Sequence, residues 1–506
     1  MWLLIVLFAV LKLLIHLFTY SNYELHRDAY LYYAQSQHLA WGYVAVPPSI
    51  AVIGKIATTL FGNTTFALRF FPAVIGTLSV VVLGLMVKEL KGKEAALILA
   101  SLAFLLSPSY LHVNTLFQPV SFDVFYWLLS GYLILLLIAR NDPKIWIGIA
   151  IVIALAFLNK YSIVFLAFAF AVSLLLTPYR HLYFSKYFLI ALAIGAMIIL
   201  PNLLWQFDQN WPVLHHMADL QRTQLVHVQF SDFIESQFLM NLQGLFIWLA
   251  GLFALLFVKR EKQFRLFGLI YLIVVTLLIL GRGKGYYTLG LYPILFVFGA
   301  YVIEKYTKRY LIYVSTLLIL AMFIALYASL SFGGIPFNNF EEAVRKNAFR
   351  WEDGTNHDIP QDLADMTGWK EVGTKVVETY LSLDPQQRKN CAIYCYHYGQ
   401  AGAVMFYGKE AGVPQPVSFN GSFIFWNPDS LSTDYVIWVH SDLGNDIKPD
   451  SLLPTLFRTV KLDAIIDDKY FRENGTRIYL CQYPTEDVKK DYISRMAALK
   501  KEFNRL

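Results

Sequence analysis

The feature that most constrains this chain is a series of apolar runs, each about long enough to cross a bilayer, filling its first two thirds. They fall near 2–20, 67–88, 95–108, 120–139, 145–159, 161–177, 186–203, 237–258, 266–281, 289–304 and 310–331. A hydrocarbon core about 30 Å thick is crossed by roughly 17–25 helical residues. Within it only helices or closed barrels satisfy their own backbone. The expected fold is a polytopic α-helical membrane protein with about eleven spans. Of the 506 residues, 57% are hydrophobic and 15% charged. Soluble domains carry about 25% charge, so a large soluble enzyme is excluded.

The connections between runs are of two kinds. One is short and basic, with Lys88, Lys91, Lys93, Arg140, Lys144, Arg180, Lys186, Lys259, Arg260, Lys262, Arg265, Lys305, Lys308 and Arg309. The other is longer, aromatic and poorer in Lys and Arg. Positive-inside bias assigns the basic set to the cytoplasm. That orientation puts the amino terminus inside and sends 21–66, 109–119, 159–161, 204–236 and 282–287 to one outer face. Residues 2–20 lack a basic leader and a small-x-small cleavage site, so they read as a retained anchor. Lys12 and His16 within that run are expected to face other helices or to snorkel. The net charge of +6 is scattered over short loops, with no basic stripe interleaved with stacking aromatics, which excludes a nucleic-acid partner.

After about Gly333 the composition becomes that of a soluble domain. The expected division is 1–332 as membrane domain and 333–506 as a small outer α/β domain. Helices are expected near 338–348, 368–381, 400–407 and 485–504, and strands at 391–398, 435–440 and 476–481. All three cysteines lie here. An oxidising compartment permits a disulfide, Cys391 or Cys395 with Cys481 if their strands are neighbours. Buried free thiols are the equal alternative. Cys391-x-x-x-Cys395 lacks the second ligand pair of a zinc site.

The stretch Glu24-Leu-His26-Arg27-Asp28 sits at the mouth of the first run, and a carboxylate at a membrane boundary is functional by default. Asp28 is therefore the first catalytic candidate, although it could also cap a helix beginning at Ala29. Asp123 opens another membrane helix on the same side. It is either a helix-start acid favoured by the macrodipole or the second carboxylate of an acid–base pair. Lys160 reads as a snorkelling lysine or a point charge for a phosphate. Arg282 and Lys284, between glycines and followed by Tyr286 and Tyr287, offer the same, the glycines letting backbone amides approach an anion. Arg27 either neutralises Asp28 or holds a phosphate. Gly281-x-Gly283-x-Gly285 follows a span rather than a strand, so it is no dinucleotide loop. Amides beside rings at Asn202 and Trp205, with Tyr161, His26 and His215, suit a sugar.

These residues, in this order, resemble the polyprenyl-phosphate-sugar-dependent glycosyltransferases of the GT-C fold, and more narrowly the bacterial protein-O-mannosyltransferase-like family. That group includes the lipid A aminoarabinose transferase and Rgt-type lipopolysaccharide transferases. The resemblance rests on Asp28, Gly42-Tyr43…Pro47-Pro48, Asp123, Asn159-Lys160-Tyr161, Asn202…Trp205 with Trp211-Pro212, and Lys284-x-Tyr286-Tyr287…Tyr292-Pro293. In the tail it rests on Ala364-Asp365…Gly368-Trp369 and Tyr398-Gly399-Gln400-Ala401-Gly402-Ala403. It implies inverting sugar transfer from a polyprenyl-phosphate donor to a glycan, lipid or protein hydroxyl at the periplasmic face of a bacterial inner membrane. Asp28 and Asp123 would be catalytic, with Arg27, Lys160, Arg282, Lys284, Tyr286 and Tyr287 around the donor phosphate. The family's first-loop aspartate is usually followed by glutamate, where this chain has Ala29. Several relatives carry an acid and a lysine before the proline pair, where this chain has Ala45 and Val46. That acid belongs to a metal site in the aminoarabinose transferase, so a divalent metal is doubtful here. A transporter or a non-catalytic lipid-glycan binder is the competing class. The first should show internal symmetry and midplane charges, and neither is visible apart from Lys12.

Overall fold

A backbone that cannot find water closes its hydrogen bonds on itself, and helices occupy every one of the expected runs. In the computed structural model, which describes residues 1–330, 340–431, 433–441 and 449–503, they are Trp2–Thr19, Thr65–Glu89, Glu94–Leu105, Pro119–Arg140, Ile145–Phe157, Ile163–Leu175, Lys186–Asp208, Leu245–Phe257, Arg265–Leu280, Tyr292–Thr307 and Leu311–Leu330. Among the described residues, six helical stretches are long and apolar enough to cross a membrane alone. Ile163–Leu175 does so only together with Pro178–Phe184, after a 109° bend. The run at 237–258 is broken: Phe230–Leu239 ends, the chain turns, and Leu245–Phe257 begins. Small residues allow close helix contact without a hydrophobic driving force between helices. A Cβ on Gly251 would lie 2.6 Å from the Leu295 carbonyl oxygen, so Leu245–Phe257 and Tyr292–Thr307 touch backbone to backbone. Lys12 and His16 are buried among helices rather than snorkelling, with Lys12 Nζ donating to the Tyr110 carbonyl at 2.8 Å.

The two kinds of connection gather at opposite ends. At the basic end, Arg140 pairs with Glu89 (2.7 Å), Lys305 with Glu261 (2.6 Å), and Glu304 accepts from the Lys93 amide (2.6 Å). At the other end the first connection is folded rather than open. It forms the helices Arg27–Gln37 and Ser49–Phe61, the second exposing Val52, Ile56 and Leu60 as an interfacial helix does. Buried Arg69 fixes this loop by donating to the carbonyls of Tyr20, Tyr23 and Glu24.

The expected domain boundary near 333 lies outside the described residues. Beyond it the second domain holds a four-stranded sheet of β1 (Cys391–Cys395), β2 (Tyr435–His440), β3 (Phe457–Ile465) and β4 (Arg477–Pro484), in the order β1-β2-β4-β3. β1 runs parallel to β2, and the other pairs are antiparallel. Only Phe340–Ala343 of the helix expected at 338–348 is helical among the described residues, and a short hairpin (Phe349–Arg350 with Asn356–His357) follows it. Of the two alternatives for the cysteines, the structure has the buried free thiols: β2 runs between β1 and β4, so the strands that a disulfide would join are not neighbours. Two strand spacings are roughly 9–10 Å, beyond the ~7 Å limit on Cα separation for a bridge.

One face of this sheet, with the helices Trp369–Ser382 and Tyr398–Gly408, shares a single apolar core with the helix Arg27–Gln37. Tyr30, Tyr33 and Phe117 lie beside Trp369, Val404, Ile437 and Ile478. Gly399 and Gly402 make the contact possible. A Cβ on Gly402 would lie 2.5 Å from the Tyr30 carbonyl oxygen, and one on Gly399 2.8 Å from Arg27 Cγ. The second domain therefore sits directly on the helix that carries Asp28.

Candidate active site

Asp28 lies in the first turn of Arg27–Gln37. The cap is not Asp28 but His26, whose Nδ1 accepts the Asp28 amide at 3.1 Å. Released from capping, the Asp28 carboxylate is about a quarter exposed, its side chain 28% accessible. Oδ1 accepts the Tyr398 hydroxyl at 2.6 Å, and Oδ2 faces the Gln118 amide at 3.4 Å. Arg27 Nε stands 3.8 Å from Oδ1 and His26 Nδ1 4.0 Å from Oδ2.

Arg27 is committed elsewhere. Its guanidinium faces Asp365 (3.7 Å) and Glu352 (3.5 Å), which Arg472 also binds at 3.2 and 2.8 Å. Lys284 Nζ joins this network through Glu352 (3.5 Å) and Gln224 Oε1 (2.6 Å). Burial pushes the Glu352 carboxyl up, but Arg27, Arg472 and Lys284 together outweigh it and hold it at about 2. Arg27 thus neutralises acids rather than standing free for a phosphate, and Asp365, Glu352 and Arg472 come from the second domain. On the other side His26 Nε2 and His112 Nε2 face Asp362, at 4.0 and 3.4 Å.

Lys160 is not engaged by an acid as Arg27 and Lys284 are. Its Nζ lies over the rings of Tyr286 (5.0 Å) and Tyr287 (4.9 Å), and among the described residues no carboxylate comes within 4 Å of it. It feels the charges of Asp123 and Lys284. Tyr286 in turn lies within electrostatic reach of Asp28 and Tyr32. Asp28, Lys160, Lys284, Tyr286 and Tyr287 are therefore brought together. A cavity of about 410 Å³ opens at Lys284, lined also by Gln224, Asp232, Ser236, Glu352 and Asp362. Across Val228 and Phe233 lies a second, of about 430 Å³, lined by Phe230, Leu278, Ile279 and Arg282.

Other candidates are placed differently. Asp123 sits a full turn inside its helix, buried, and its oxygens accept from Trp127 Nε1 (3.1 Å) and Ser162 Oγ (3.0 Å) rather than facing Asp28. Arg282 is exposed in the second cavity, with φ of 52°. The amides of Gly281 and Gly283 cap the preceding helix through Leu277 and Leu278, and Gly285 makes room for Ser236, so these glycines serve packing rather than an anion. Tyr161, Asn202 and Gln206 form a chain of hydrogen bonds, Tyr161 Oη to Asn202 Oδ1 at 3.1 Å and Asn202 Nδ2 to the Trp41 carbonyl at 2.7 Å. Trp205 closes over Gly42 and meets Phe425 edge-on at 5.6 Å. His215 turns away to the last helix, 3.5 Å from Glu502. Its neighbour His216 is the one within reach of Asp28 and Lys284, and burial lowers it.

The donor set does not fit a metal. Ala45 and Val46 bring no ligand atom, and among the described residues no three His, Cys, Asp or Glu side chains group to hold an ion. The residues missed from sequence are Tyr398, Gln118, Glu352 and Arg472. Tyr398 lies inside a motif that carries the family resemblance, which was its only signal.

Residues 45–205 match the family model described as dolichyl-phosphate-mannose-protein mannosyltransferase. A 194-residue stretch is 26% identical to the lipid A galacturonosyltransferase RgtD of Rhizobium johnstonii, covering 38% of this chain. The chain spans 41% of that relative's length. The fold superimposes on ArnT from Cupriavidus metallidurans bound to undecaprenyl phosphate with a TM-score of 0.64 at 13% identity, covering 94% of this chain and 97% of the other. It also superimposes on the mycobacterial arabinofuranosyltransferase AftD, with a TM-score of 0.53 at 12% identity, covering 96% and 40%. The chain therefore has the polytopic helical GT-C fold, similar to that of ArnT over nearly its whole length, and resembles the mannosyltransferase family model and RgtD over part of it.

Proposed function

We propose that the protein moves a sugar from a polyprenyl-phosphate donor to an acceptor hydroxyl at the periplasmic face of a bacterial inner membrane. The acceptor class is a cell-envelope glycan, lipid or protein. The observation that carries this reading is the gathering of one accessible carboxylate, Asp28, with Lys160 and Lys284 around Tyr286, Lys284 lining an open cavity. A relative that acts on lipid A and a similar fold that binds undecaprenyl phosphate support a lipid-phosphate donor and a lipid-glycan acceptor.

In the proposed step the acceptor oxygen attacks the anomeric carbon while Asp28 takes its proton. The glycosidic bond forms with inversion as the bond from the anomeric carbon to the phosphate oxygen breaks. The electron pair stays on the departing polyprenyl phosphate, and Asp28 later passes its proton to water. Lys160 and Lys284 stabilise the charge growing on the phosphate, where a fixed cation acts on the transition state more than on the ground state. Asp123 stays in the proposal as a residue that holds the Lys160 loop through Ser162 rather than as a second acid.

Purified protein is incubated with polyprenyl-phosphate sugars and acceptor, and released lipid phosphate is counted. Wild type should release it, whereas Asp28→Asn should lose transfer with an unchanged melting temperature. Full activity in Asp28→Asn would refute the role of Asp28. Donor binding without release would mark a non-catalytic lipid-glycan binder.

A further inference from the structure

We infer that Tyr398 is a positioning residue for Asp28, and that the second domain thereby forms a working half of the catalytic site rather than an appendage. The inference rests on the proposed sugar transfer. Its ground is geometric. Of the side chains facing the Asp28 carboxylate, Arg27 (3.8 Å) and His26 (4.0 Å) belong to its own helix and that helix's cap and Gln118 (3.4 Å) caps the membrane helix Pro119–Arg140, while Tyr398 makes the shortest contact, at 2.6 Å, from 370 residues away. Tyr286 and His216 approach from two further segments, Gly285–Leu291 and the helix Pro212–Thr223.

The contact has a consequence for orientation. Arg27 pulls on the same Oδ1 while held by Asp365 and Glu352. Without the phenol, Asp28 would turn toward Arg27 and into that ion network, and the carboxylate would lose its fixed direction. Tyr398 is a secure donor. Burial raises its phenol, and donation to Asp28 works in the same direction against the opposing charge of Arg27, so it keeps its proton. The hydroxyl's position is fixed by backbone contact, since Gly399 and Gly402 seat the first turns of Tyr398–Gly408 on Arg27 and Tyr30. A side chain of ordinary size at either glycine would lift the whole helix and the phenol with it.

Tyr407 provides the control. It lies on the same helix and also bridges the two domains, its hydroxyl 2.9 Å from that of Tyr30, but it does not touch Asp28. A hydrogen bond to a charged group is worth about ten- to a hundredfold. Tyr398→Phe should therefore lower kcat about ten- to a hundredfold with an unchanged KM for donor. Tyr407→Phe should leave kcat within about twofold. In an Asp28→Asn background, Tyr398→Phe should add nothing. A second readout needs no turnover: modification of Asp28 by a water-soluble carbodiimide with glycine ethyl ester, followed by peptide mass spectrometry. Tyr398→Phe should change the rate of Asp28 labelling several-fold, and Tyr407→Phe should not. Equal effects of the two variants, or none from Tyr398→Phe on labelling, would overturn the inference. Wild type inactive in transfer, with labelling responsive to Tyr398, would refute the proposed reaction while leaving the contact intact.

Discussion

Glu352 tests the junction most directly, because one carboxylate there faces three cations. Arg472 lies 2.8 Å from it, Arg27 and Lys284 3.5 Å each, and its side chain is only 15% exposed. Its carboxyl is held at about 2, down from 4.5. A depression of that size corresponds to about 3 kcal/mol of stability at neutral pH. The sign follows from linkage. The folded form binds its proton less readily than the unfolded one, so the contribution is complete above the unfolded value and disappears as pH falls through the folded one. At pH 3 about 1 kcal/mol should remain. Glu352→Gln keeps the shape and removes the charge, leaving three cations around a neutral amide. It should lower unfolding free energy by about 3 kcal/mol at pH 7, within the range for breaking one side of a buried pair. The assay is detergent-solubilised unfolding followed by tryptophan fluorescence, wild type against variant, from pH 7 to pH 3. The deficit should shrink by more than half over that range. An equal deficit at both ends would show that Glu352 acts through packing alone and would refute the electrostatic account of the junction.

Lys160→Ala should raise the donor KM at least as much as Lys284→Ala does, because Lys160 faces only tyrosine rings whereas Lys284 is already engaged by Glu352 and Gln224. Equal donor KM values in wild type and Lys160→Ala would remove it from the phosphate site. Burial pushes the thiols of Cys391 and Cys481 up to about 12, and thiolate is the reactive form. A reductant should therefore leave the melting temperature unchanged, and iodoacetamide should label these thiols only after unfolding. A downward shift with reductant would point to a disulfide and contradict the strand order.

How much of this was legible in the sequence depends on the range over which each signal acts. Apolar runs announce helices because burial from water is a local property of composition, so Trp2–Thr19 and Pro119–Arg140 could be placed within a residue or two. The break at 240–244 could not, since the contact made there, Phe296 against Gly244, comes from a distant helix. Asp28 stood out as a candidate because a carboxylate at a membrane mouth is costly wherever its partners lie. Its partners were not visible. Whether Arg27 serves a phosphate or neutralises acids is decided by Asp365 and Glu352, more than 300 residues away. The same holds for His215 and His216, adjacent in sequence, where a turn of helix sends one to Glu502 and the other toward Asp28. Gly399 and Gly402 read as family markers in the sequence, and the structure gives the reason: any larger residue there would separate Tyr398 from Asp28. A chain with only 15% charged residues concentrates Arg27, Asp28, Lys284, Glu352, Asp365 and Arg472 at one junction. Burying so many charges is costly unless each is paired, and Arg27 with Asp365 and Glu352, and Lys284 with Glu352, supply those pairs across the junction.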